Sequence, residues 1–366
     1  MRIIKEAGDL KGKKVLLRAD LDVPVADSGG IEESFRIKRQ KNFLDYLIDA
    51  GAKVVIVAHI SDESVGRSFG GLMPQLNSLL GREINFIKNL AGVGEYLDKY
   101  VGPALLDNIR QNEGEEKNDP DFARRLAAGF DIYANNDFAV CHRDHASVSG
   151  IAKILPGYAG PVVEAETAQL QKAVSAPSEG KVVIIGGAKG ESKVPVIKNL
   201  LERSESVLTG GVVANDILME KGQDMGSSVV DSNFHDLLMN LNLNDSRLKA
   251  PEDFIVFDDK ILDIGDQTMK KYMDIIEKAR MIIWNGPMGL FENPVFAKGT
   301  NEIAQAILRS PAEHKIVGGG DTITAIDKAG LLGKFEESQD CFISTGGGAM
   351  LAFLSGDVLP GLEVLK

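Results

Sequence analysis

The sequence predicts an α/β protein of two doubly wound, Rossmann-like parallel-sheet domains joined by a connecting helix and hinge. Three observations carry this. Short β-branched runs recur at residues 15–17, 53–58, 182–185 and 281–284, as strands buried on both faces of a parallel sheet do. Stretches of helical spacing lie between them, supplying the crossovers that parallel strands need. Most runs end in glycine, arginine or histidine, residues suited to the carboxyl edge where such sheets bind ligands.

A chain of 366 residues has room for two domains, and 44% apolar with 26% charged residues is ordinary for a globular enzyme. The net charge of −12 excludes broad nucleic-acid binding, which needs a basic face. It leaves room for a phosphorylated small molecule, which needs only local positive charge. Cys141 and Cys341 give no disulfide framework, the first residues lack a signal-peptide core, and no run reaches the length of a membrane span. A cytoplasmic enzyme without membrane or nucleic-acid partners is therefore expected.

In chain order, the first strand runs into Arg18-Ala19-Asp20-Leu21-Asp22-Val23-Pro24, where the proline stops it. Residues 34–50 space Phe35, Ile37, Phe43, Leu44, Leu47 and Ile48 on one helical face, with Arg36 in the first turn. A cation there is disfavoured by a few tenths to ~1 kcal/mol unless an anion sits nearby, so Arg36 is either a surface residue or the mark of an anion. The strand 53–58 delivers His59, 72–80 is helical, and 84–86 and 104–106 are strands, the latter delivering Asp107-Asn108-Ile109-Arg110. A helix at 121–128 precedes the strand 131–134, which delivers Asn135-Asn136-Asp137-Phe138 and then Cys141-His142-Arg143. Arg18, His59, Arg110 and Arg143 thus fall at equivalent strand ends, predicting a basic, anion-binding patch in an acidic protein. The helical stretch 162–175, ended by Pro177, reads as the connector between the halves.

The second half repeats the alternation. The strand 182–185 breaks at Gly186-Gly187, and Lys189 and Lys193 follow four residues apart, on one face if a helix begins there. This is either a phosphate cradle at a helix start or an ordinary loop with solvated lysines; neither common nucleotide fingerprint is present. The later strands end in Thr209-Gly210-Gly211, Leu262-Asp263-Ile264-Gly265, Asn285-Gly286-Pro287-Met288-Gly289, Gly318-Gly319-Gly320-Asp321-Thr322 and Ser344-Thr345-Gly346-Gly347-Gly348, with a further strand at 254–257. So many glycine turns on one sheet predict an edge laid against a phosphate-bearing ligand. Asp321 is either a helix N-cap or a Mg²⁺ carboxylate. With no Ser-His-Asp arrangement and no carboxylate pair evident, the residues fit phosphoryl transfer, which needs mainly positioning and charge neutralisation. They point to a two-domain kinase of a small anionic metabolite, closing about its connector to exclude water.

At these motifs the chain resembles phosphoglycerate kinase, as a divergent member of that family. Trp284-Asn285-Gly286-Pro287-Met288-Gly289, Gly318-Gly319-Gly320-Asp321-Thr322, Gly186-Gly187-Ala188-Lys189 and Ser344-Thr345-Gly346-Gly347-Gly348-Ala349 carry the likeness, with Gly114-Glu115-Glu116-Lys117-Asn118-Asp119-Pro120 and Phe296-Ala297-Lys298-Gly299-Thr300. The resemblance implies reversible transfer of phosphate between ATP and 3-phosphoglycerate, giving 1,3-bisphosphoglycerate and ADP with Mg²⁺ in glycolysis, by a monomer. It implies catalytic roles for Arg36, Lys189, Gly319 and Gly347, and an acceptor side of Arg18, Asp20, Leu21, Asp22, Arg36, His59, Asp62, Arg110, His142 and Arg143. On the nucleotide side it implies Gly187, Lys189, Lys193, Gly211, Gly265, Asn285, Leu290, Glu292, Gly319, Gly320, Asp321 and Thr322, with Asp321 leading Mg²⁺ binding. The implied organisation is an acceptor domain over 1–161, a connecting helix over 162–177, a nucleotide domain over 178–348, and a tail, 349–366, packing back on the first domain.

The chain departs from the family at the acceptor side. The pattern R-x-D-[FL]-N-V-P has Asp22 for its asparagine, S-H-L-G-R-P has Asp62 for its arginine, and N-D-A-F becomes Asn136-Asp137-Phe138 shifted against Asn135. Losing a charge-assisted hydrogen bond of roughly 1.5–3 kcal/mol would weaken the acceptor by one to two decades, unless Arg67 substitutes. That leaves as rivals a nucleotide-binding relative with altered acceptor or little activity, an ATP-binding module, and an NAD-dependent oxidoreductase. The last is opposed by the missing G-x-G-x-x-G.

Overall fold

The computed structural model describes residues 1–26 and 28–366. The first half alternates β1 (Lys14–Arg18), α1 (Phe35–Asp49), β2 (Lys53–Val57), α2 (Met73–Leu80), β3 (Asn85–Ile87), α3 (Gly92–Lys99) and β4 (Ala104–Leu106). Then come α4 (Glu113–Glu116), α5 (Pro120–Ala127), β5 (Ile132–Asn135), β6 (Gly157–Ala159) and α6 (Pro161–Ser175). Local chemistry sets several boundaries. Pro120 opens α5 behind Asp119, whose side chain accepts the Phe122 N–H, and Gly81 closes α2 in the left-handed conformation at φ 66°. Helix α1 buries Phe35, Ile37, Phe43, Leu44 and Leu47 as its spacing predicts.

The second half continues with β7 (Lys181–Ile185), α7 (Gly190–Glu202), β8 (Ser206–Thr209), α8 (Gly211–Glu220), α9 (Phe234–Leu238) and β9 (Leu248–Lys249). It goes on through β10 (Phe254–Phe257), β11 (Lys260–Ile264), α10 (Asp266–Ile276), β12 (Met281–Asn285), α11 (Lys298–Arg309), β13 (His314–Gly318) and α12 (Gly320–Lys328). It ends with α13 (Leu332–Glu337), β14 (Cys341–Ser344), α14 (Gly348–Ser355) and α15 (Pro360–Glu363).

Two six-stranded sheets result, ordered β3-β4-β2-β1-β5-β6 and β14-β13-β12-β7-β8-β9, with every neighbouring pair parallel. Their central strands are buried throughout, as in β12 and β7, because helices cover both faces. One strand expectation differs. Residues 254–257 and 260–264 leave the parallel series and pair antiparallel as a separate hairpin. Asp258 and Asp259 both have positive φ, 50° and 59°, the backbone of a two-residue hairpin turn that aspartate tolerates.

The chain forms two compact units, Met1–Ala168 with Val358–Lys366, and Gln169–Asp357. The division falls inside α6. In the first unit the C-terminal segment is tied down at two places: Arg2 N–H donates to Leu365 O at 2.6 Å, and Gly361 N–H to Cys141 O at 2.9 Å. Helix α14 packs on α7 in the second unit.

Candidate active site

The sheet register brings the predicted basic residues together. Arg18 pairs with Val57 and Asn135, and Val57 with Leu106, so the segments leaving β1, β2, β4 and β5 emerge on one carboxyl edge of the first unit. Arg18 itself is 1% exposed and its fork is filled: Nε donates to Ser147 Oγ at 3.1 Å, and Nη1 to Ala19 O at 2.9 Å. Nη1 also pairs with Asp137 Oδ2 at 2.9 Å, and Nη2 bonds His59 Nδ1 at 3.1 Å. Arg18 is thus a strut beneath the site, with four of its five N–H donors engaged within the protein. Leu21 is buried in the apolar core and gives the site shape only.

His59 has a fixed tautomer. Arginine can only donate, so Nδ1 accepts from Arg18 and Nε2 carries the hydrogen that meets Asp22 Oδ2 at 3.2 Å. Burial keeps the ring neutral, lowering its pKa despite Asp22. Burial opposes the charge of Asp22, but the hydrogen bond from His59 and the Ser61 N–H at 2.7 Å hold the carboxylate well below the usual range. Arg36 sits above this layer, Nη1 donating to Asp22 O at 2.9 Å and Nε 3.7 Å from Asp20 Oδ2, its side chain 12% exposed. Burial pushes Asp20 up to about 8 although Arg36 pulls it down. The cation in the first turn of α1 therefore has the Asp22 carboxylate, with the Asp20 carboxyl beside it, across the strand end.

Arg110 is the donor left open. Nη1 donates to Ser61 Oγ at 3.0 Å and Nε lies 3.4 Å from Glu116, while the buried Nη2 has no partner. Burial, then Arg143 and Arg18, depress its pKa, the signature of cations gathered without enough counter-charge. His142 belongs to the same group: burial and then Arg143 push it down to about 4, and its Nδ1 has no partner. Arg143 is exposed beside them.

Asp62 does not act as a repulsive stand-in for an anion-binding arginine. Its Oδ2 accepts the Val25 N–H and its Oδ1 the Ser64 N–H, both at 2.9 Å, so the carboxylate is used to fold its own loop. Arg67 is exposed on the same loop. It has φ 53°, and its carbonyl is tied down by Asn108 and Gln111; no ion pair involves its side chain among the described residues. Asp62→Ala is expected to change the KM for an acidic acceptor less than about threefold while costing ~0.5–2 kcal/mol, the scale of a lost capping bond. Steady-state kinetics beside thermal melting checks it; a tenfold fall in KM would mean that the charge did repel.

The sequence missed the props beneath this site. Ser147, which holds Arg18, donates Oγ–H to Glu115 Oε1 at 2.6 Å and N–H to Glu115 Oε2 at 2.9 Å. Ser147 stands 129 residues from Arg18, and no local pattern announces it. Glu115 lies in the quoted Gly114–Pro120 motif, the one available signal.

In the second unit the register again aligns strand ends: Asn285 pairs with Ile185 and Gly318, and Gly318 with Ser344. The turns after them interlock at backbone distance. A Cβ on Gly286 would stand 2.1 Å from Gly186 O, and one on Gly211 2.8 Å from Gly187 N. Lys193 Nζ donates to Gly186 O, and burial pushes its pKa down to about 8, opposed by Asp321 and reinforced by Lys189. Lys189 is exposed at the start of α7. Gly347 lies against Gly319, a Cβ on it falling 3.4 Å from the Gly319 Cα, and the Nδ2 of Asn285 beside them is buried without a partner.

A cleft of about 200 Å³ opens next to these turns, lined by Gly187, Gly211, Leu290, Glu292 and Asp321 with the hairpin residues Lys260–Ile264. Gly265 does not line it; its Cα faces Asp253, which would stand 2.3 Å from a Cβ there. Thr322 is fully buried and its Oγ1 accepts the Gly286 N–H at 2.7 Å, so it fixes a turn. Gly320 opens α12 with the exposed Asp321 in its first turn. No group of three metal-ligating side chains occurs among the described residues.

The model of the family described as "Phosphoglycerate kinase" matches residues 4–357. A protein of that name from Dictyoglomus turgidum is 38% identical, aligned over 98% of this chain and 96% of its own length, and one from a Wolbachia of Drosophila simulans is 37% identical over 98% and 97%. The crystal structure of phosphoglycerate kinase from Pyrococcus horikoshii is 32% identical with a TM-score of 0.85, covering 100% of this chain and 98% of the other. Matching on sequence and fold over nearly its whole length, the chain belongs to the phosphoglycerate kinase family.

Proposed function

We infer that the protein moves a phosphoryl group reversibly between ATP and 3-phosphoglycerate, giving 1,3-bisphosphoglycerate and ADP. The observation that supports this most is the open donor set of Arg110 Nη2 and His142 Nδ1 beside Arg143 in a protein of net charge −12. An acidic chain that gathers arginines with too little counter-charge is built to receive an anion. Arg110 and Arg143 receive the phosphate of the acid, and Arg36 faces its carboxylate and neutralises charge on the group in transfer. Asp22 and His59, fixed by Arg18, position Arg36.

On the nucleotide unit, Glu292 and Leu290 hold the nucleoside in the cleft, and Lys193 and the Gly187 and Gly211 turns meet its phosphates. Lys189, Gly319 and Gly347 attend the moving group, the glycines by letting backbone N–H groups approach it. Asp321 suits a single-carboxylate magnesium contact, and the bound ion would neutralise phosphate charge. We further read the enzyme as a cytosolic monomer of glycolysis; its free thiols, Cys141 and Cys341, fit a reducing compartment.

Turnover of ATP that depends on added 3-phosphoglycerate, followed through ADP release, tests the reading; ADP release independent of the acid would remove the acceptor assignment. A pH effect follows as well. His142 is neutral because of burial and then Arg143, and a bound phosphate offsets Arg143. Its pKa then rises above about 4 on binding, so protonation of His142 favours the bound acid as pH falls from the raised value toward about 4. Calorimetry in buffers of different ionisation enthalpy should show proton uptake near pH ~5.5 in the wild type and less in His142→Gln. Equal uptake in both would assign the proton elsewhere.

A further inference from the structure

The segment from Gly187 to Gly190 has neighbours that the nucleotide reading does not use. A Cβ on Gly190 would lie 2.2 Å from Asp216 Oδ2 and 2.4 Å from Asp231 Oδ2, so two carboxylate oxygens converge on the space this glycine leaves open at the start of α7. Asp216 is fully buried. Its Oδ1 accepts the Asp231 N–H at 2.9 Å, and its Oδ2 has no donor. Asp231 Oδ2 in turn accepts the Glu191 N–H at 2.7 Å. Two acceptors meet with nothing to donate between them, and the missing component is a hydrogen.

The charges around the pair do not supply one. From α7 come Lys189, exposed and just before the helix, and Glu191, whose side chain is exposed; Lys193 is turned to Gly186 O. From α8 comes Glu220, engaged by the exposed His235 of α9, and α9 adds Asp236 in its first turn. No lysine or arginine forms an ion pair with Asp216 or Asp231 among the described residues. Burial first, and then the Asp231 carboxylate, push Asp216 up to about 7, against the Asp231 N–H.

The pair links the parts of the nucleotide site. Asp216 follows Asn215, which lines the cleft and donates to the carbonyl of Val229, another lining residue, at 2.9 Å. Through Asp231 it reaches the Glu191 amide in the first turn of α7, the helix that carries Lys193 and follows Lys189. We propose that Asp216 is a positioning residue of the nucleotide site: as a carboxylic acid donating to the Asp231 carboxylate, it holds the start of α7, and so Lys189 and Lys193, in place for the nucleotide phosphates. The role rests on the nucleotide reading above. Ionisation of Asp216 replaces the hydrogen bond by two like charges beside Gly190 and loosens that hold, so nucleotide affinity falls as pH rises through neutrality.

The test is the affinity for ADP at constant free magnesium, by calorimetry, in the wild type, Asp216→Asn and Asp231→Asn. The asparagine at 216 keeps a donor at every pH, and the one at 231 removes the like charge. ADP's own titration is common to all three proteins and cancels in the ratio. From about pH 6 to about pH 9 the Kd of the wild type relative to each variant should rise by about fivefold, the worth of one hydrogen bond. A purely structural role shifts affinity by one factor at every pH. A ratio that stays flat for each variant that folds overturns the proposal. A wild type that binds no ADP at any pH overturns the nucleotide reading and this proposal together.

Discussion

Arg36→Ala is expected to lower kcat for phosphate transfer to 3-phosphoglycerate by about 10²–10³-fold, the cost of deleting one preorganised charge donor at a transferring group. ADP affinity should be unchanged. The guanidinium is placed before any ligand arrives: Nη1 is fixed on Asp22 O at 2.9 Å and Nε stands 3.7 Å from Asp20 Oδ2. Lysine offers one flexible point charge in place of a planar fork, so Arg36→Lys should recover only a small part of the rate. Removing Arg36 strips Asp20 of its nearest cation. Burial already pushes that carboxyl up to about 8, so in the variant it simply keeps its proton, and the melting temperature should fall little. Single-turnover kinetics beside melting curves separates the two effects; a rate loss below tenfold would show that the transferring charge is neutralised by another group.

The second large effect is on structure. Gly286→Ala should destabilise the second unit by about 2–5 kcal/mol, combining backbone strain with a forced contact, and should abolish ADP binding. Gly286 has φ +95°, and a Cβ would stand 2.1 Å from Gly186 O and 2.6 Å from Lys193 Nζ. Its own N–H and C=O are engaged by Thr322 Oγ1 at 2.7 Å and Trp284 Nε1 at 2.8 Å, so the turn cannot swing aside. Trp284 is the chain's single tryptophan and reports this unit in a denaturant titration. Gly222→Ala is the comparison: its φ is +83° with nothing within 4 Å, so it bears the strain alone and should cost about 1 kcal/mol. Equal losses in the two variants would mean that the close approach of the turns after β7 and β12 is not what Gly286 protects.

The acceptor departures show where residue identity and residue role part. Asp62 at an arginine position suggested a weakened or altered acceptor site, because charge is visible in a sequence and direction is not. In the fold that carboxylate turns to the Val25 and Ser64 amides. Arg18 misleads in the opposite sense. Its place at a strand end marks it for an anion, yet Ser147, Ala19, Asp137 and His59 take four of its five donors. Three of those four partners are supplied by segments distant in the chain.

The chain order of short β-branched runs, helical stretches and glycine turns was enough by itself to set two parallel α/β units and to put arginines on one carboxyl edge and glycines on the other. Those features are local: period, branching and backbone freedom act over a few residues. Which donors stay open, as on Arg110, which carboxylate oxygens are left without a donor, as at Asp216, and which strands leave the sheet, as β10 and β11 do, depended on groups far apart in sequence meeting in space. Burial and partnership, the quantities that set a hydrogen bond or a pKa, exist only once the chain has folded.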